Sequence, residues 1–376
     1  MNRTFYLLFV VVLLSLSGKN PETLTYFHSP TFPAQNTTIS HEVVNFNDTI
    51  PNDTLFVIKN EDGLLHSYSR KILTGVCIDG ECRLLNITLY WTVTGRYLGF
   101  QLPQGEFLSK TEHDPFTQQD YEHLHALLAD PYSNLANYRI EELVPMVEND
   151  EVDGVSAATI AGVKNYIVEN AVYTTYTLWH IVHGSTQKKI QAYTQKHLQP
   201  ELAIQILNSS NQQDVIWALE NLPPDIKVTQ ALQDKLFALA ASNELLVSNK
   251  AIEGIPSNWL DNEKDQLKLF SHFENSSYFT QVKILNKLGE APKLATSIQL
   301  TLAENLPELN GSMVKHVLDL FTIHQASNRE SEKIIASLLN HENQFIARKA
   351  FQFLNQQPVS NKKVARQLEK YEQKQN

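Results

Sequence analysis

Apolar and polar residues change rhythm along this chain, and each change predicts a different kind of structure. From Leu55 the apolar residues come in short runs rich in branched and aromatic side chains: Leu55-Phe56-Val57-Ile58, Ile72 to Cys77 and Leu84 to Val93. Such runs read as β-strands. Thr117, with Asp120 three residues on, opens a helix whose Tyr121, Leu124 and Leu128 share one face and which ends at Asp130-Pro131. Another helix is expected to begin near Thr159, because Ile160, Val163, Ile167, Ala171 and Leu178 fall mostly at three- and four-residue steps, and to stop near Gly184. Its polar residues Lys164, Asn165, Glu169 and Asn170 favour a core helix over a membrane span. Sheet and peripheral helices together predict an α+β domain over residues 55–190.

Beyond residue 198 the pattern repeats. Ala218, Ala251, Ile284, Val317 and Ala350 recur at a constant step of about 33 residues, a period proper to stacked helical repeats. Leu219, Ile252, Leu285, Leu318 and Phe351 keep the same step, as do Leu222, Ile255, Leu288, Phe321 and Leu354. Ala203, Leu236, Leu269, Leu302 and Ile335, with Leu207, Ala240, Phe273, Leu306 and Leu339, mark an earlier helix in each unit. Five helix–turn–helix units over 198–358 follow, before a tail over 359–376. A unit of this kind cannot hide its apolar face alone and must stack on its neighbours, which predicts a short α-solenoid. The Thr-Pro-Leu-His signature of ankyrin repeats is missing, and the pattern resembles degenerate HEAT-like repeats. Such a stack either presents a surface to a partner or is a purely structural extension.

The beginning of the chain reads differently. Arg3 precedes the apolar run Phe5 to Leu14, and Ser15-Leu16-Ser17 supplies small residues for cleavage before Gly18, so residues 1–17 read as a secretory signal peptide. The expected location is extracytoplasmic, periplasmic or envelope-associated; an uncleaved anchor would leave the chain membrane-associated. Residues 18–54, rich in Asn, Thr, Pro and Ser, read as a flexible linker that orders only on contact. The two cysteines, Cys77 and Cys82, flank the turn dipeptide Asp79-Gly80. In an exported chain a disulfide is the favoured reading and a redox pair the competing one. The net charge of −10 excludes nucleic acid as a partner.

One motif carries candidate chemistry. Asp153-Gly154-Val155-Ser156-Ala157-Ala158-Thr159 sets a threonine hydroxyl among small residues before the expected helix, where unpaired N–H groups and the helix dipole favour an anion. The stretch resembles the flavin-attachment motif of the FMN-binding domain family. Leu89-Tyr90-Trp91, Thr94-Gly95-Arg96-Tyr97-Leu98-Gly99-Phe100 and Pro103 to Lys110 resemble bacterial extracytoplasmic proteins with an FMN-binding-like domain, so the resemblance spans roughly residues 55 to 185. It implies FMN joined to Thr159 through a phosphodiester bond by a flavin transferase, whose metal Asp153 would help to position. Gly154, Ser156 and Ala158 complete the motif, and Arg96 would approach the flavin's carbonyl oxygens or phosphate. Ala157 stands where the family usually has Gly. A plain helix cap at Asp153 or Ser156 is the competing reading.

Tyr90, Trp91, Tyr97, Phe100 and Phe107 would pack on an isoalloxazine ring or serve a sheet core. His113, His123, His125, His180 and His183 read more simply as surface or core residues than as ligands of a metal or haem. No Ser-His-Asp order with a nucleophile elbow, Walker loop or dinucleotide fingerprint occurs, and no catalytic residue is assigned. The resemblance implies extracytoplasmic electron transfer by a covalent flavin, with the repeats docking a redox or envelope partner. The alternative is an envelope scaffold or binding protein whose FMN-like domain lacks flavin.

Overall fold

The computed structural model describes residues 23–30, 36–76, 83–110, 113–148, 165–326, 328–357 and 361–375. The chain divides into two compact units between Ala192 and Tyr193. The first is α+β and the second is helical.

Six strands make one antiparallel sheet among the described residues: β1 (Thr25–Phe27), β2 (Thr38–Val43), β3 (Thr54–Lys59), β4 (Leu65–Thr74), β5 (Leu85–Thr92) and β6 (Tyr97–Gln101), in the order β1-β6-β5-β4-β3-β2. The strands expected from alternation form its middle. On β4 and β5, Tyr68 lies opposite Trp91, Arg70 opposite Leu89 and Ile72 opposite Ile87, so these buried side chains share one face. Among the described residues three helices lie within this unit, α1 (Gln118–Ala129), α2 (Ile140–Glu148) and α3 (Val172–His183), and α4 (Ser185–Lys196) begins in it and runs past the division. The indole N–H of Trp91 donates to the Val182 carbonyl on α3 at 3.0 Å. Thr117 and Asp120 form the expected capping box of α1, which buries Tyr121, Leu124, Leu127 and Leu128.

Two expectations are corrected here. Residues 18–54 are not merely a flexible linker, because their described part supplies both edge strands and buries Phe46 and Ile50. β2 exposes all six residues and β1 is three residues long, so neither shows the alternation by which a strand is read. What seats β1 is Gly99 on β6: a Cβ there would lie 2.2 Å from the Tyr26 carbonyl oxygen. The helix expected from Thr159 onward is also not continuous. Between Asn165 and Ala171 the chain turns, with Asn170 in the left-handed region at φ 57°, and α3 starts only at Val172. Of the polar residues that interrupt the apolar pattern, Asn165, Glu169 and Asn170 lie in that turn, and Lys164 lies outside the described residues. There the Thr175 hydroxyl accepts the Val168 N–H and donates to the Ala171 carbonyl. The helix does end at His183, with Gly184 as its cap.

The helical unit consists of paired helices. Its second helices are α6 (Gln212–Asn221), α8 (Leu245–Gly254), α10 (Tyr278–Leu288), α12 (Gly311–Ile323) and α14 (Gln344–Asn355), each starting one repeat period after the last. The first helices are α5 (Pro200–Leu207), α7 (Gln230–Ala240), α9 (Glu263–Phe270), α11 (Thr296–Asn305) and α13 (Arg329–Ser337), and from α7 onward they keep the same step. A further helix, α15 (Lys362–Gln375), lies in the expected tail and packs on α13 and α14. Each second helix packs on the next second helix, and α5, α7 and α9, then α11, α13 and α15, pack in sequence on the other side. The side chains of Asn211, Ser277, Asn310 and Asn343 cap α6, α10, α12 and α14. All the repeating apolar positions are buried except Leu222 and Phe351, which are half-buried; Phe351 leans on Tyr371 of α15 at 5.2 Å.

Arg70 is fully buried, and its charge is met by Asp48 at 2.6 and 3.1 Å. It also donates to the Asn52 carbonyl and the Thr186 hydroxyl, and lies 3.7 Å above the Phe46 ring. Replacing Asp48 by Ala leaves a buried guanidinium without a counter-charge, and should cost about 3–5 kcal/mol of the sheet unit's stability in urea unfolding. Arg70→Met combined with Asp48→Asn should recover part of that loss. A cost below about 1 kcal/mol for Asp48→Ala would mean that the neutral partners suffice to hold the charge.

Candidate functional site

The motif residues Asp153, Gly154, Ser156, Ala158 and Thr159 lie outside the described residues, as do Cys77 and Cys82. The site residue that can be placed is Arg96. It follows Gly95 in the tight turn between β5 and β6, where Gly95 has φ 81° and the Arg96 N–H donates to the Thr92 hydroxyl. Helix α4 clamps this turn: Gln187 donates to the Gly95 carbonyl and Gln191 to the Thr94 carbonyl, at 2.9 and 3.0 Å. A Cβ on residue 95 would meet the Gln191 side chain at 2.9 Å, so both the backbone angle and the close approach call for glycine.

The aromatic residues considered for a flavin ring are mostly engaged elsewhere. Trp91 and Phe100 have no exposed surface, and Tyr97 is 2% exposed, its hydroxyl 2.9 Å from Nδ1 of His125. Tyr90 is half-buried and donates to Gln101, while Phe107 lies under Arg83 at 4.2 Å. Trp91 lies opposite Tyr97 on the neighbouring strand, and Tyr97 and Phe100 both pack beside His125, so these three rings serve the core of the unit.

The histidines fall into two settings. His28, just past β1, stacks on His125 of α1 with ring centres 4.1 Å apart and planes at 22°, beside Tyr97, Tyr26 and Phe100. Burial and the neighbouring His28 push the His125 imidazole down to about 4; burial and the Arg96 charge lower His28. The hydroxyl of Tyr97 is pushed well above its ordinary range by burial. On α3, His183 Nε2 lies 3.0 Å from the Leu128 carbonyl, and His180 packs against Tyr176 and Trp179. Burial lowers both of these imidazoles too. His123 is exposed, and His113 sits in a turn at φ 67°. Among the described residues no group of three or more His, Cys, Asp or Glu is placed to hold a metal ion, and no helix is long and apolar enough to cross a membrane.

The feature that the sequence reading did not single out lies on the helical unit. At the first two positions of α8 stand Leu245 and Leu246, 47% and 51% exposed; one repeat on, at the same positions of α10, stand Tyr278 and Phe279, 37% and 68% exposed. Phe345, at the second position of α14, is 36% exposed. Side-chain contacts tie successive turns into one edge. Gln212 reaches Glu244 at 3.1 Å, the Tyr278 and Ser312 hydroxyls meet at 2.6 Å, and a Cβ on Gly311 would stand 3.1 Å from the Phe345 ring. Aligning the repeats by their period and then reading the two positions before the buried ones would have revealed this ridge. Beside it, between the first two helix pairs, is a cleft of about 330 Å³ with Leu207, Ser209, Lys235, Leu239 and Val247 in its wall. Burial lowers the Lys235 ammonium, and the Ser209 hydroxyl of the cleft wall donates to Asp214 at 3.0 Å.

No protein-family model matches the chain, and no curated protein matches it. Among solved structures, the crystal structure of an engineered protein is similar at 13% identity over 66% of this chain and 71% of that chain, with a TM-score of 0.31. A likeness at that level carries no argument about fold or function.

The four half-buried imidazoles set a pH dependence. Each holds its proton more weakly in the folded chain than in the unfolded one, so the unfolded chain takes up protons first as pH falls. Their contribution to stability is therefore complete above about pH 6.5 and is lost toward pH 4. Histidine proton resonances should titrate near pH 4 for His125, and the melting temperature should fall across that window, less steeply in His125→Gln. A His125 titration at its ordinary value would contradict the stacked, desolvated pair.

Proposed function

We propose that this chain is a non-catalytic binding protein that docks another protein on its helical unit. The unit reads as a short α-solenoid of HEAT-like repeats, and stacks of this kind work by presenting an extended surface. The observation that carries the reading is the placing of Leu245, Leu246, Tyr278 and Phe279 on adjacent turns, apolar and exposed where burial in the stack would be the rule for such side chains. The reading of residues 1–17 as a signal peptide supports an activity outside the cytoplasm, at the periplasm or envelope.

A second reading rests on the motif from Asp153 to Thr159. In it the sheet unit carries FMN on Thr159, added by a flavin transferase, and the docked protein is a redox partner. When bound, the flavin would supply one- or two-electron transfer, and the chain's own residues would hold and tune it. The burial of Trp91, Tyr97 and Phe100, with Trp91 and Tyr97 engaged in hydrogen bonds, supports the docking reading over a flavin pocket built from those rings.

A photo-crosslinking amino acid at position 279 should give a discrete larger adduct in cells of the source organism, and one at the exposed Glu372 should not. Adducts from neither position, or equally from both, would remove the docking reading. For the flavin reading, intact mass of the exported protein should show the FMN increment and Thr159→Ala should lack it. An unmodified chain from a host that flavinylates other proteins would sink it.

A further inference from the structure

The turns that carry the ridge hold one kind of charge, while Lys235 stands with Glu244 in the wall of the cleft beside them. Glu244 lies in the turn between the helices of the second pair, Glu274 in that of the third and Glu308 in that of the fourth, all exposed. Residues 241–246, 271–279 and 306–313 contain no Lys or Arg. Acidic residues at helix starts are often explained by the helix dipole or by capping. Here the caps of α10 and α12 are already the side chains of Ser277 and Asn310, and Glu244, though at the cap position of α8, makes no capping hydrogen bond. Glu274 and Glu308 form no ion pair or hydrogen bond among the described residues, whereas Glu220, Glu253 and Asp234 on the helix faces are paired with Lys250, Lys283 and Lys268. Neighbouring packed helices stand about 8–10 Å apart, near the screening length at physiological salt, so these turn carboxylates repel one another and do little for the fold. Acidity that the fold does not neutralise, set beside exposed Leu and Phe, is complementary to an outside cation carried on an apolar body. It repels anionic lipid and nucleic acid. The edge changes character at the fifth pair, where Arg348 and Lys349 lie about the Phe345 ring at 6.0 and 5.7 Å.

We propose that the turn edge of the second to fourth helix pairs binds a basic amphipathic segment of another protein, its apolar side chains on Leu245, Leu246, Tyr278 and Phe279 and its Lys or Arg residues against Glu244, Glu274 and Glu308. This rests on the docking reading above and specifies the chemistry of the docked protein.

The test measures fluorescence anisotropy of three labelled 18-residue amphipathic peptides, built from Leu with Lys, Leu with Gln and Leu with Glu, on the full chain. The Leu/Lys peptide should bind tightest and weaken with added salt. Leu246→Ser with Phe279→Ser should weaken it at least about tenfold, as expected when central apolar anchors are lost. Glu244→Gln, Glu274→Gln and Glu308→Gln together should weaken it about tenfold, while Glu201→Gln, Glu304→Gln and Glu369→Gln, which change net charge equally, should leave it within about twofold. All these substitutions are at exposed positions, and circular dichroism melts verify that the variants fold. Equal loss in the two triple variants would overturn the proposal, because binding would then follow net charge alone. If the serine variant weakens all three peptides alike and the edge triple weakens none, the apolar ridge stands as a docking surface and the basic partner falls. If the serine variant changes nothing, both fall.

Discussion

A guanidinium with no exposed surface cannot stand without a counter-charge, and much of the sheet unit is arranged around the one at Arg70. Its partners come from two distant stretches: Phe46, Asp48 and Asn52 on the approach to β3, and Thr186 at the start of α4. Burial alone would raise the Asp48 carboxyl; the Arg70 hydrogen bonds and charge, with the Ile50 N–H and the Ser185 hydroxyl, outweigh it and hold the carboxyl below its ordinary value. The same contacts fix α4, and α4 in turn fixes the turn that carries Arg96 through Gln187 and Gln191. One buried charge thus governs the seating of an edge segment, a helix and the turn that carries Arg96.

The helical unit solves a different problem. No pair buries its apolar face alone, so stability comes from neighbours. Polar side chains brace the joints. Buried Gln266 donates to the Leu260 and Lys293 carbonyls and accepts the Ala295 N–H, holding α9 to the segment that leads into α11. Lys287, nearly buried, donates to the Glu253 and Ile255 carbonyls of the preceding pair and to Glu290. With the joints satisfied internally, the unsatisfied apolar surface collects at the turns.

The middle strands, α1 with its capping box, and the helix pairs were legible in the sequence because each buries one face with a fixed period. β1 and β2 were not, since an edge strand held by backbone bonds and one close glycine contact leaves no alternation to read. Arg70, between Ser69 and Lys71 in a strand, looks like a surface residue until the fold brings Asp48 to it. The turn before α3 was hidden because Ile167 and Ala171 keep a helical spacing across a segment that Asn170 breaks. For the candidate sites, a motif resemblance suggested Thr159 and, with it, Arg96, whereas the ridge needed the repeats to be aligned and their buried positions subtracted. Sequence order separates its four central side chains into two dipeptides a full repeat apart, and only stacking joins them.

Because each second helix begins one constant step after the previous one, the number of pairs is a variable that the chain can change without redesigning any of them. Gain or loss of one whole pair would lengthen or shorten the stack and leave every remaining side chain aimed as before. A change by any other number of residues would rotate the helices that follow and scatter the edge. The turn edge therefore behaves as a ruler graduated in helix pairs, whose span is set by counting modules rather than by reshaping them.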